Sequence, residues 1–127
     1  MKKRLLYFLV IALLFTMGLN ACYYDQVSTD GGLPTNVSLK NDVQPIFNRD
    51  CNMSGCHDSK STHRPSLVSE NAYSALTSGG YINTVDPVNS VLYLSINGGG
   101  MPAGRAPLSE KDMNIILAWI TEGAKNN

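Results

Sequence analysis

The chain has 127 residues, 43% of them hydrophobic, with ten Lys and Arg against ten Asp and Glu, and three cysteines. That length allows one domain and hardly more, and a formal charge of zero leaves no basic footprint for nucleic acid. Three thiols cannot all pair with one another, so at least one has another task.

Residues 1–21 open on Lys2, Lys3 and Arg4 and continue through an apolar run from Leu5 to Phe15, with only Thr16 and Gly18 interrupting before Asn20. A basic start and a short apolar stretch form the secretory signal pattern, whereas a spanning helix needs about 20 apolar residues. The run ends Leu19-Asn20-Ala21-Cys22, which resembles a bacterial lipobox. The resemblance implies cleavage before Cys22 and a lipid on its thiol, holding a soluble domain at a bilayer without spanning it. The alternative is an uncleaved anchor helix with an incidental cysteine. Either way the domain lies outside the cytoplasm, in the cell envelope of a bacterium, periplasmic or extracellular. Cleavage leaves 106 residues with seven basic and ten acidic side chains. Such a chain builds a thin core and gains from a staple, metal or cofactor.

From Cys22 to Val37 the sequence is rich in Gly, Ser, Thr, Asn and Pro and reads as a flexible tether. The domain is expected over residues 38–127. Asn41-Asp42 can cap a short helix at Val43–Phe47, in which Val43, Ile46 and Phe47 share one face and Pro45 falls in the first turn. A loop carrying Cys51, Cys56 and His57 follows. Ser69 to Leu76 reads as a second helix stopped by Gly79-Gly80. Ser90 to Ile96 is a third element, whose alternation fits a strand as well as a helix. The fourth is capped by Ser109, with Asp112 as its capping-box partner, a stripe of Met113, Ile116, Leu117 and Ile120, and Gly123 past the last turn. Four short helices and glycine-rich loops make a small all-α domain.

Cys51, Cys56 and His57 are the only dense cluster of ligand-type residues. A c-type haem takes two thiols, which form thioethers with its vinyl groups, and an imidazole just after the second cysteine as iron ligand. The usual Cys-x-x-Cys-His spacing is replaced here by four intervening residues, Asn52 to Gly55, so the loop must bulge, and Ser54 and Gly55 suit a bulge. Met101 lies 44 residues past His57, after Gly98-Gly99-Gly100 and before Pro102. A methionine thioether is a weak sixth iron ligand that raises the reduction potential, and glycines let the backbone come close to a porphyrin.

In this order of elements the chain resembles the class I cytochrome c family from about Asn41 to Ala124. The resemblance is carried by Asp42, Gln44, Pro45, Ile46, Phe47, Cys51, Cys56, His57, Met101, Pro102, Leu108, Ser109, Trp119, Ile120, Gly123 and Ala124. It implies an all-α cytochrome c-like domain of about four short helices around one covalent haem c. Cys51 and Cys56 would hold the haem, and His57 and Met101 would ligate its iron. Phe47 and the terminal-helix stripe would pack together, with Trp119 nearby. The expected role is single-electron transfer between extracytoplasmic redox protein partners by a monomeric, membrane-anchored carrier, not an enzyme in its own right.

Other readings stay open. Cys51 and Cys56 could form a disulfide in a haem-free structural or binding lipoprotein. Met101 could leave the iron in a haem sensor or an accessory subunit of an oxidoreductase. His63 rivals Met101 as sixth ligand. Zinc fits poorly, since a second paired half-site is missing. Arg64 and Arg105 could meet haem propionates or be plain surface charges. Tyr81 and Tyr93 read as packing residues, either of which could touch a haem. Met53 reads as surface and Met113 as core. No paired carboxylates, phosphate loop or Ser-His-Asp order stands out.

Overall fold

A computed structural model describes residues 32–127. The signal peptide expected over residues 1–21, the lipid site Cys22 and most of the tether lie outside the described residues. The compact unit runs from Leu33 to Asn127, so the last residues of the tether belong to it, and Val37 is buried in the core. The order is a π-helical turn at Leu39–Val43, α1 (Gln44–Asp50), α2 (Ala72–Ser78), a 3-10 turn at Pro87–Asn89, α3 (Val91–Asn97) and α4 (Glu110–Thr121). No strand occurs among the described residues, and the domain is all-α. None of the described helices is long and apolar enough to cross a membrane.

The first helical segment begins a turn earlier than its sequence pattern suggests, and Asn41-Asp42 is not its cap. The Ser38 hydroxyl accepts from the Asn41 N–H at 3.2 Å, while the Asp42 carboxylate accepts from the Ser38 N–H at 2.8 Å. This reciprocal pair satisfies donors that a helix start leaves open. The wide turn follows from Pro45, which has no N–H and whose ring would meet the carbonyl four residues back in α register. Val43, Ile46 and Phe47 are buried on one face, as their spacing implies.

The second helix starts at Ala72, with Val68–Asn71 forming a turn that leads into it rather than part of the helix. The third element is a helix, not a strand: Leu92 and Ile96, one turn apart, point into the core. Ser90 ahead of it is buried, and its hydroxyl accepts from the Asn83 N–H at 2.9 Å.

The terminal helix α4 packs against the π-helical turn, the 3-10 turn and α3. Ser109 caps it, accepting from the Asp112 N–H at 3.1 Å. Asp112 does not complete the capping box, because its carboxylate takes the Ser109 hydroxyl and Arg49 of α1 instead. The Ala124 N–H bonds to the Trp119 carbonyl and the Gly123 N–H to that of Ile120, with Gly123 at φ +96°, the left-handed ending that a glycine adopts without strain. Burial here exceeds a stripe: Ile116, Leu117, Ala118, Trp119 and Ile120 are all buried, whereas Met113 is only partly so. The start of the domain is tied to the end of α4, since both Glu122 carboxylate oxygens accept backbone N–H groups, from Asn36 and Val37. Beyond the helix, the Asn127 carbonyl accepts from the Lys40 N–H and the Ser38 hydroxyl.

Candidate functional site

A cavity of about 430 Å³ opens between the end of α1, the loop after it, α3 and the segment that follows α3. Phe47, Leu67, Leu92 and Ile96 give it an apolar, buried floor. Around that floor stand Cys51, Cys56, His57 and Met101, so all four cofactor residues expected from sequence line one cavity. His63, the rival ligand, lines it too, as do Arg64, Arg105 and Tyr81. Tyr93 instead packs against the core. Met53 is exposed, and the Arg105 guanidinium lies against its sulfur.

Helix α1 ends at the first thiol. The Cys51 and Asn52 N–H groups both bond to the Phe47 carbonyl at 2.9 Å, and the chain then turns through Met53 to Cys56. The His57 N–H returns to the Cys51 carbonyl at 3.2 Å, which closes the four intervening residues into a compact loop. The two sulfurs are not bonded to each other. Cys56 is exposed and Cys51 partly buried. Burial, chiefly, pushes the Cys51 thiol up to about 11; Asp50 adds to the rise, while Arg105 and Arg49 oppose it. At neutral pH Cys51 is therefore a thiol with almost no thiolate.

His57 is half-buried, and its Nδ1 lies 2.7 Å from the Pro65 carbonyl oxygen. A carbonyl only accepts, so Nδ1 is the donor in this contact; in the neutral ring that leaves the lone pair on Nε2, the orientation that a carbonyl acceptor gives an imidazole able to bind a metal. The segment that carries this acceptor is tied down two residues on, at Leu67. The Leu67 N–H bonds to the His57 carbonyl at 2.8 Å, and buried Gln44 of α1 donates to the Leu67 carbonyl at 2.8 Å. The Pro65 carbonyl is the partner that residue types alone do not reveal, because a backbone oxygen has no sequence signature.

Met101 is held at the rim by its N–H, which bonds to the Ser95 carbonyl of α3 at 3.0 Å, and it is 38% exposed. The next residue, Pro102, is buried. Two thiols, an imidazole turned by its Nδ1 contact and a thioether form a donor set whose chemistry fits a covalently held haem, beside two guanidinium groups and an apolar floor. Among the described residues no three His, Cys, Asp or Glu side chains are grouped to hold a bare metal ion. Comparison with protein-family models, curated proteins and solved structures finds no match.

Proposed function

We propose that this is a c-type cytochrome domain that carries single electrons between extracytoplasmic redox proteins, anchored to a membrane through a lipid on Cys22. The observation that carries the reading is the cavity that gathers Cys51, Cys56, His57 and Met101 over an apolar floor, with His57 already oriented by the Pro65 carbonyl. A haem bound there supplies the ferrous–ferric couple, while the protein sets its orientation, potential and exposure. Cys51 and Cys56 would hold it by adding their S–H bonds across its two vinyl groups, sulfur to one carbon and hydrogen to the next, with no net oxidation. His57 Nε2 and the Met101 sulfur would ligate its iron, a pairing that suits a carrier rather than an enzyme. The apolar floor would exclude water, and Arg64 and Arg105, which line the cavity, would meet the propionates.

The test is expression with a c-haem maturation system, followed by haem staining after denaturation. Wild type should stain, and Cys51→Ala and Cys56→Ala should each lose one thioether by peptide mass mapping. A colourless wild type with no free thiol at Cys51 or Cys56 would sink the proposal and favour the disulfide reading. The sixth ligand is checked separately. Met101→Ala should lose the thioether-to-iron absorption band and drop in potential by a fraction of the roughly 0.8 V span that axial ligands set. His63→Ala should change neither. Carbon monoxide binding to untreated ferrous wild type would point instead to a sensor.

A further inference from the structure

We infer that Asp58 is the positioning residue that makes the four-residue spacing between Cys51 and Cys56 workable for covalent attachment, an inference that rests on the haem reading above. Two residues more than the usual pair add four soft backbone torsions between the sulfurs. Backbone hydrogen bonds restrain them in part. The Cys56 N–H bonds to the Met53 carbonyl at 2.9 Å, and the longer His57-to-Cys51 contact, at 3.2 Å, joins its ends. Gly55 sits at φ +81°, where a side chain would be strained, with open space where a Cβ would stand. Its N–H takes part in a set of hydrogen bonds that tie the loop to the chain beyond His57.

Asp58 supplies them. One carboxylate oxygen, Oδ2, accepts from the Gly55 N–H at 3.1 Å. The other, Oδ1, accepts from the N–H groups of Lys60 at 2.9 Å and Ser61 at 2.6 Å. The carboxylate thus ties the residue before Cys56 with one oxygen and the chain at Lys60 and Ser61 with the other, so the Cys56-His57 pair lies between two hydrogen-bonded points. Asp58 does not line the cavity, so it acts through Cys56 and His57 and not on a bound group. A two-residue loop would have no bulge to hold, and Asp58 would then be dispensable.

The experiment matures four proteins with haem in parallel: wild type, Asp58→Ala, a deletion of Met53 and Ser54 that restores Cys-x-x-Cys-His, and the deletion combined with Asp58→Ala. Peptide mass mapping and the haemochrome absorbance maximum count the thioethers per chain. Asp58→Ala in the full-length loop should reduce doubly attached haem about tenfold, the scale seen when an outer-shell partner is lost, with singly attached chain accumulating. The same substitution in the shortened loop should leave double attachment at the level of the deletion alone. Wild-type double attachment in Asp58→Ala would overturn the inference. So would an equal loss in both loop lengths, which would make Asp58 a general structural residue. Wild type lacking covalent haem would defeat the haem reading itself, a separate result.

Discussion

Chain produced without haem is expected to keep most of its helix and lose its cooperative melt. The reason lies in what the core surrounds. Phe47, Leu67, Leu92 and Ile96 are buried against the rest of the domain yet also form the wall of a cavity of about 430 Å³. At about 24 cal/mol per Å³ of void, a dry cavity of that size would cost about 10 kcal/mol. The cavity opens to solvent, so this is a ceiling, but even a third of it weighs heavily against a total stability of about 5–15 kcal/mol. Collapse of the walls is the way out for an empty chain, and collapse separates fixed packing from hydrogen-bonded backbone. The haem-free protein should therefore show native-like far-UV circular dichroism, weak near-UV bands, strong binding of an apolar dye and a broad thermal transition. The haem-loaded protein should melt sharply. A sharp transition in the haem-free chain at the same temperature would show that the cavity walls stand without an occupant.

How far the sequence discloses this fold differs from element to element, for physical reasons. The terminal helix is legible at both ends because its stop and start signals are local: Ser109 captures an N–H three residues on, and Gly123 takes the left-handed conformation. Its burial is less legible. The period of Met113, Ile116, Leu117 and Ile120 marks a face, but Ala118 and Trp119 are buried as well, because the helix packs against the π-helical turn, the 3-10 turn and α3 at once. The start of the first segment escapes because Ser38 and Asp42 cap it reciprocally a turn upstream of the apolar pattern. In the third element, periodicity alone fits helix and strand equally, and the tertiary burial of Leu92 and Ile96 decides it. At the candidate site the side chains with rare chemistry, two thiols, an imidazole and a loop methionine, stand out from residue type alone. The supports do not. The carbonyl of Pro65, the buried amide of Gln44 and the carboxylate of Asp58 act through backbone groups that any residue carries. Only the folded chain brings those groups within reach.

Trp119→Ala should destabilise the haem-loaded protein by about 3–5 kcal/mol, the range for truncating a large buried aromatic. Trp119 is the largest fully buried side chain of the described domain, with 0% exposure. Its Nε1–H donates to the Lys125 carbonyl at 2.9 Å, and its own carbonyl accepts from the Ala124 N–H. One residue thus fills the core beneath α4 and holds the chain that leaves that helix. The removal would open a void and leave the Lys125 carbonyl without its indole donor, whereas Trp119→Phe keeps most of the bulk and loses the hydrogen bond, a change worth about 1 kcal/mol. Chemical denaturation of wild type and both variants, each loaded with haem, measures the order Ala, Phe, wild type. The cavity supplies the control: Trp119 does not line it, so the absorption spectrum and reduction potential of folded Trp119→Ala should match wild type while its unfolding midpoint falls. A loss below about 1 kcal/mol for the alanine variant would mean that α4 is not anchored through this side chain. A changed iron spectrum in the folded variant would mean that the terminal helix and the haem cavity are coupled more tightly than their packing implies.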